Sequence, residues 1–95
     1  MANIRNLKKD INYLTSELVS DCYLYMYFHK DKNHDEVVGI ISEAVELRNN
    51  LMHKTNHPEN KDDKKLLKSH FNNLYDEMLE SVDVLFNQLS ELTKK

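Results

Sequence analysis

The sequence predicts an all-α protein, an antiparallel three-helix up-down bundle that a second copy completes by homodimerisation. Three observations lead there. Glycine and proline occur once each, at Gly39 and Pro58, and tryptophan is absent. β-Sandwiches and barrels need turn residues about every ten positions, and nucleotide-binding α/β folds need glycine-rich loops, so both are excluded. Apolar residues recur at three- and four-residue intervals in three segments, as in amphipathic helices. Two polar stretches, His29-Lys30-Asp31-Lys32-Asn33-His34 and Thr55 to Lys61, separate those segments. A chain of 95 residues has room for one domain over 1–95, with helices over about 3–28, 34–55 and 62–93.

The first segment carries Ile4, Leu7, Ile11, Leu14, Leu18, Cys22 and Tyr25 on one stripe. Its last turns, Tyr23 through Phe28, are apolar or aromatic on every side, so that end needs more cover than the start. In the second segment, Asn33 followed three residues later by Glu36 has the form of a capping box. Val37, Ile41, Ala44 and Leu51 make its stripe, widened by Val38, Ile40, Val45, Leu47 and Met52. Gly39 costs a helix interior about 1 kcal/mol relative to alanine, and close approach of another helix there is the expected compensation. Pro58 disfavours helical geometry at the residue before it, so the helix should stop by Asn56.

The third segment has the strongest pattern: Leu67, Phe71, Leu74, Met78, Val82, Leu85, Leu89 and Leu92. Asn60 or Asp62 can cap it, acidic residues are expected in its first turn, and Lys94 and Lys95 suit its negative end. At 1.5 Å per residue it runs roughly 45 Å against roughly 30 Å for the second helix. The mismatch leaves apolar surface that a small domain closes by pairing, hence the homodimer.

Composition bounds the function. Net charge is −3 with 31% charged residues, unlike a surface that is wholly a nucleic-acid footprint. No apolar run approaches the ~18 residues that span a bilayer, so no membrane partner is expected. The N-terminal stretch lacks the apolar core of a signal peptide. The lone Cys22 cannot pair internally and favours a reducing compartment, so the expected localisation is cytoplasmic. No serine or cysteine stands in a nucleophile setting. His53 and His57, four apart, have His34 or His70 as conceivable third ligands, but no His-Glu-x-x-His pattern is present. Glu43 and Glu46, like Glu77 and Glu80, lack the histidines of di-iron bundles. No metal and no cofactor is expected. Tyr13, Tyr23, Tyr25, Tyr27 and Tyr75 are better read as core or dimer interface than as base-stacking platforms.

One motif stands out, in Glu46-Leu47-Arg48-Asn49-Asn50-Leu51-Met52-His53. The Arg48-Asn49-x3-His53 spacing resembles the signature of HEPN domains, small helical proteins of which many are metal-independent ribonucleases acting as dimers. The resemblance implies that Arg48 holds the scissile phosphate, His53 serves as general acid and base toward a ribose 2′-hydroxyl, and Asn49 orients one or the other. Residues five apart sit about 140° around a straight helix, so Arg48 and His53 converge only across a dimer or through a helix break near His53. The plainer alternative has Arg48 bonding Glu43 or Glu46 and His53 resting at the negative helix end. The chain is also similar to the short helical proteins common in bacterial genomes, a likeness that implies no activity.

Antiparallel packing gathers Arg5, Lys8, Lys9, Lys54, Lys61, Lys64, Lys65 and Lys68 at one pole, beside Arg48, His53 and His57. Their acidic neighbours are chiefly Asp10, Glu59, Asp62 and Asp63, while Asp76, Glu77, Glu80, Asp83 and Glu91 lie along the far half of the third helix. RNA could dock at that basic pole. The first functional expectation is a non-catalytic helical-bundle protein, not an enzyme, acting through self-association or a protein partner. The alternative is an HEPN-like ribonuclease or RNA-binding protein using Arg48, Asn49 and His53.

Overall fold

A computed structural model describes residues 4–58 and 62–94. It consists of three packed helices, α1 (Ile4–Phe28), α2 (His34–Asn56) and α3 (Lys64–Thr93), each touching the other two. The body is elongated, 52 × 18 × 17 Å.

The buried residues follow the three-and-four spacing. In one half Leu18, Cys22 and Tyr25 meet Val37, Ile40, Ala44, Leu85, Leu89 and Leu92. In the other, Leu7 and Ile11 meet Leu51, Phe71, Leu74, Met78 and Val82. The partly buried Leu47 and Phe86 pack against both halves and join them. Thr15 and Thr55 lie buried in these stripes despite their hydroxyls. Each hydroxyl donates to the carbonyl four residues back, Ile11 O and Leu51 O, both at 2.7 Å. That bond satisfies the polar atom inside its own helix and lets the methyl face the core.

Several expectations are corrected. Asn33 does precede α2, but in a left-handed conformation (φ 56°) and with no side-chain cap bond, so the Asn33–Glu36 capping box is absent. Its amide Nδ2 donates instead to the Tyr25 hydroxyl at 2.8 Å, which in turn donates to Leu92 O at 3.3 Å. A tertiary partner has taken the side chain from its local one. Asp63, rather than Asp62, caps α3, its Oδ1 accepting from Lys65 N and Leu66 N; Asn60 lies outside the described residues. The helix consequently starts at Lys64 and has no acidic residue in its first turn. In α2, Ile40 is buried and Ile41 only partly so, which rotates the stripe slightly from the expected one. In α1, Leu14 is half-buried and Ile4 exposed.

Gly39 is the clearest reversal. It is exposed, and a Cβ added there meets nothing within 4 Å, so no helix approaches closely. Gly39→Ala should therefore raise stability by about 0.5–1 kcal/mol, by lowering the entropy of the unfolded chain. Urea denaturation measures this, and a destabilised variant would show that something covers the position.

The end of α1 bears on function. Its C-terminal turns stay open: Tyr23, Leu24, Tyr27 and Phe28 are 59%, 56%, 67% and 69% exposed among the described residues.

Candidate functional site

Arg48, Asn49 and His53 all lie on the exposed side of α2. Arg48 is held by amide oxygens. Its Nε donates to Asn12 Oδ1 on α1 at 2.8 Å, and Nη1 donates to Asn49 Oδ1 at 3.3 Å. The bond to Glu43 or Glu46 expected from the plainer reading is replaced by these two. Among the described residues no carboxylate forms an ion pair with the guanidinium. Arg48 borders a groove of about 300 Å³ between α1 and α2, lined at depth by the buried Thr15 and Ala44 with the partly buried Val19, and nearer solvent by the exposed Ser16, Ser20, Tyr23 and Val45.

His53 lies elsewhere. Its ring rests against His57, centroids 4.6 Å apart and tilted by 41°, and the His57 amide donates to His53 O at 3.0 Å as the helix ends. His53 does not line the groove that Arg48 borders. Because α2 continues unbroken to Asn56, a helix break near His53 does not bring the two together. Within one chain the motif's arginine and asparagine are adjacent, and its histidine is separate. No protein-family model matches the chain, nor does any curated protein or solved structure.

The chemistry available is therefore that of its parts. An arginine with fixed Nε and no bound carboxylate presents donors to an anion or an aromatic face. The His53–His57 pair stands at the negative end of α2, beside Lys54, where the helix dipole favours positive charge. No group of three His, Cys, Asp or Glu side chains that could hold a metal ion occurs among the described residues. Cys22 is buried, and burial, with Asp21 nearby, pushes its thiol up to about 11; it is no nucleophile near neutrality.

The basic pole is less uniform than the sequence suggests. Lys54 Nζ pairs with Glu77 Oε1 at 2.9 Å, so Glu77 belongs to that pole rather than to the acidic far half of α3. Both side chains are about half exposed, and such a pair contributes at most about 1 kcal/mol. His70 Nε2 lies 3.0 Å from Lys54 O. Asp63 is occupied as the cap of α3, and Asp10 accepts a hydrogen bond from the Tyr75 hydroxyl. Arg5, Lys8, Lys9, Lys64, Lys65 and Lys68 remain along the described part of the pole, whereas Lys61 and Glu59 lie outside it.

The Asp10 bond holds the Tyr75 hydroxyl protonated, pushing its pKa up to about 12 from an ordinary 10, with desolvation and the Asp10 charge adding to the effect. A raised folded-state pKa stabilises the fold fully below pH 10, and the contribution is lost as pH rises through 12. Tyrosinate absorbance should thus show a late step near pH 12 that Tyr75→Phe removes. A late step that survives the substitution would assign it to another tyrosine.

Sequence reasoning missed Asn12, which anchors Arg48, and the groove itself. A signal for the groove was present: Ser16, Ser20, Tyr23 and Tyr27 keep helical spacing on a side of α1 away from its core stripe.

Proposed function

We propose that this is a small non-catalytic helical protein that acts by self-association, in a compartment such as the cytoplasm where Cys22 stays reduced. Residues 1–95 form one domain whose helices run up, down and up. Supporting that order, Asn12 and Asn33 bond across α1 and α2 to Arg48 and Tyr25, while Asp10 and Tyr25 reach Tyr75 and Leu92 on α3. The observation that carries the reading is the open, aromatic end of α1, where four consecutive-turn residues (Tyr23, Leu24, Tyr27 and Phe28) remain exposed. Clustered apolar side chains of that size on a small protein mark a contact surface. Light scattering on the purified chain at micromolar concentration tests this: a dimer is expected, and a monomer contradicts it.

The ribonuclease alternative draws on one observation, the guanidinium of Arg48 facing a groove without a carboxylate partner. It requires His53 from a second copy. Comparing RNA cleavage by the wild type and His53→Ala in chelator decides it; a wild type that leaves RNA intact removes this reading.

A further inference from the structure

The outer grooves between helix pairs differ in charge. Those between α2 and α3 are bordered by Glu36, Glu43 and Glu91, and the one between α1 and α3 by Asp21. The α1–α2 groove has no carboxylate in its lining, and its one charged residue is Arg48. The lack of carboxylates extends along the whole side, which at its start on α1 also carries Arg5 and Lys9. Ser16, Ser20, Tyr23 and Tyr27 follow one another on α1 at intervals of four and three, as do Val38, Ile41, Val45, Arg48 and Met52 on α2. Tyr23, Tyr27, Val38 and Val45 are exposed, while Val19, Met26 and Ile41 are partly buried against the core.

We propose that two copies of the chain meet through this α1–α2 face, groove to groove, about a twofold axis. The inference rests on the self-association reading and names its surface.

Residues near a twofold axis meet their own copies, so a charge there meets the same charge, and each copy carries −3. Pairing through the glutamate-bordered faces sets like charges opposite one another, whereas the α1–α2 face avoids it. The make-up of its middle, where Tyr23 and Val45 line the groove with Arg48 and without lysine or carboxylate, is that of an interface core, with the charged ends as its rim. Size also fits, since α1 and α2, of 25 and 23 residues, run side by side for roughly 35 Å, and a strip that long and 18 Å wide approaches the roughly 800 Å² per partner of a standard interface. The bond between Asn12 and Arg48 fixes which levels of α1 and α2 lie side by side. A twofold across the middle of the groove then lays the Arg5–Lys9 end over the partner's Asp31 and the partner's Asp35. It also sets Tyr23 level with the partner's Arg48, giving that guanidinium an aromatic face.

Val45→Glu tests the proposal, because the side chain is 48% exposed and its replacement burdens only a buried interface. Leu79→Glu and Val84→Glu place the same charge at exposed positions on α3, outside the α1–α2 face. Val45→Glu is expected to weaken self-association about 30-fold or more with unchanged helical circular dichroism, while the two controls leave it within a few-fold. Independently, Ser16→Cys, close to the twofold, should give a disulfide-linked dimer in oxidising buffer, which decides the matter should Val45→Glu fail to fold. A wild-type dimer that survives Val45→Glu, or in which Ser16→Cys does not cross-link, overturns the face and leaves self-association standing. A wild type that stays monomeric overturns both.

Discussion

Tyr25→Ala is expected to lower the unfolding free energy by about 3–5 kcal/mol, the range for deleting a buried aromatic ring. Tyr25 is 6% exposed and packs among Leu18, Cys22, Val37 and Leu92. Its ring stacks on His29 at 4.4 Å, and its hydroxyl links the turn before α2 to the end of α3, accepting from Asn33 Nδ2 and donating to Leu92 O. The single substitution removes core volume and unties three elements. Tyr25→Phe separates the two effects: the ring stays, but an amide and a carbonyl lose their partner. That loss costs about 1–3 kcal/mol when the groups are buried, and the low end applies because Asn33 is only half-buried and can regain water. Urea denaturation of both variants gives the comparison. A silent Tyr25→Phe would show that the hydroxyl bonds contribute nothing to closing this end of the bundle.

Leu51→Ala should cost about 2–5 kcal/mol by the same mechanism of lost transfer energy plus a residual cavity. Leu51 is fully buried, one turn before Thr55, where α2 meets Leu7, Ile11, Phe71 and Met78. Collapse around the vacancy is restrained because Thr55 bonds Leu51 O and its hydroxyl cannot leave that partner without being stranded. Leu79→Ala serves as the reference: Leu79 is exposed on α3, and truncation there should stay within about 0.5 kcal/mol. Equal losses at the two positions would mean that Leu79 is covered in solution, by a surface other than the α1–α2 face.

Helix class and extents were legible because the apolar spacing in each segment is long and regular; observed and expected ends differ by at most two residues, at Lys64. What local pattern could not reach were choices made by distant partners. Asn33 and Glu36 have the spacing of a capping box, yet the Tyr25 hydroxyl, eight residues away in sequence, holds the Asn33 amide. Gly39 was assigned to the contact side of α2, although two residues after the buried Val37 it is turned about 200° around the helix, and the structure leaves it open. The burial of Thr15 and Thr55 has no mark in the apolar spacing, because it depends on hydroxyl bonds to the preceding turn.

The candidate site was legible only in its residue types. Spacing alone separates Arg48 from His53 around the helix, and the structure keeps them on different neighbours, Asn12 and His57. The need for cover at the end of α1 was readable from Tyr23 through Phe28. Its source was not, because the described helices leave that end open.

Self-association is therefore the claim on which the rest depends. Sedimentation equilibrium of the wild type over a micromolar dilution series tests it most directly. The expected result is a species of twice the 11.3 kDa chain mass that dissociates on dilution. A mass of one chain throughout the series would contradict it.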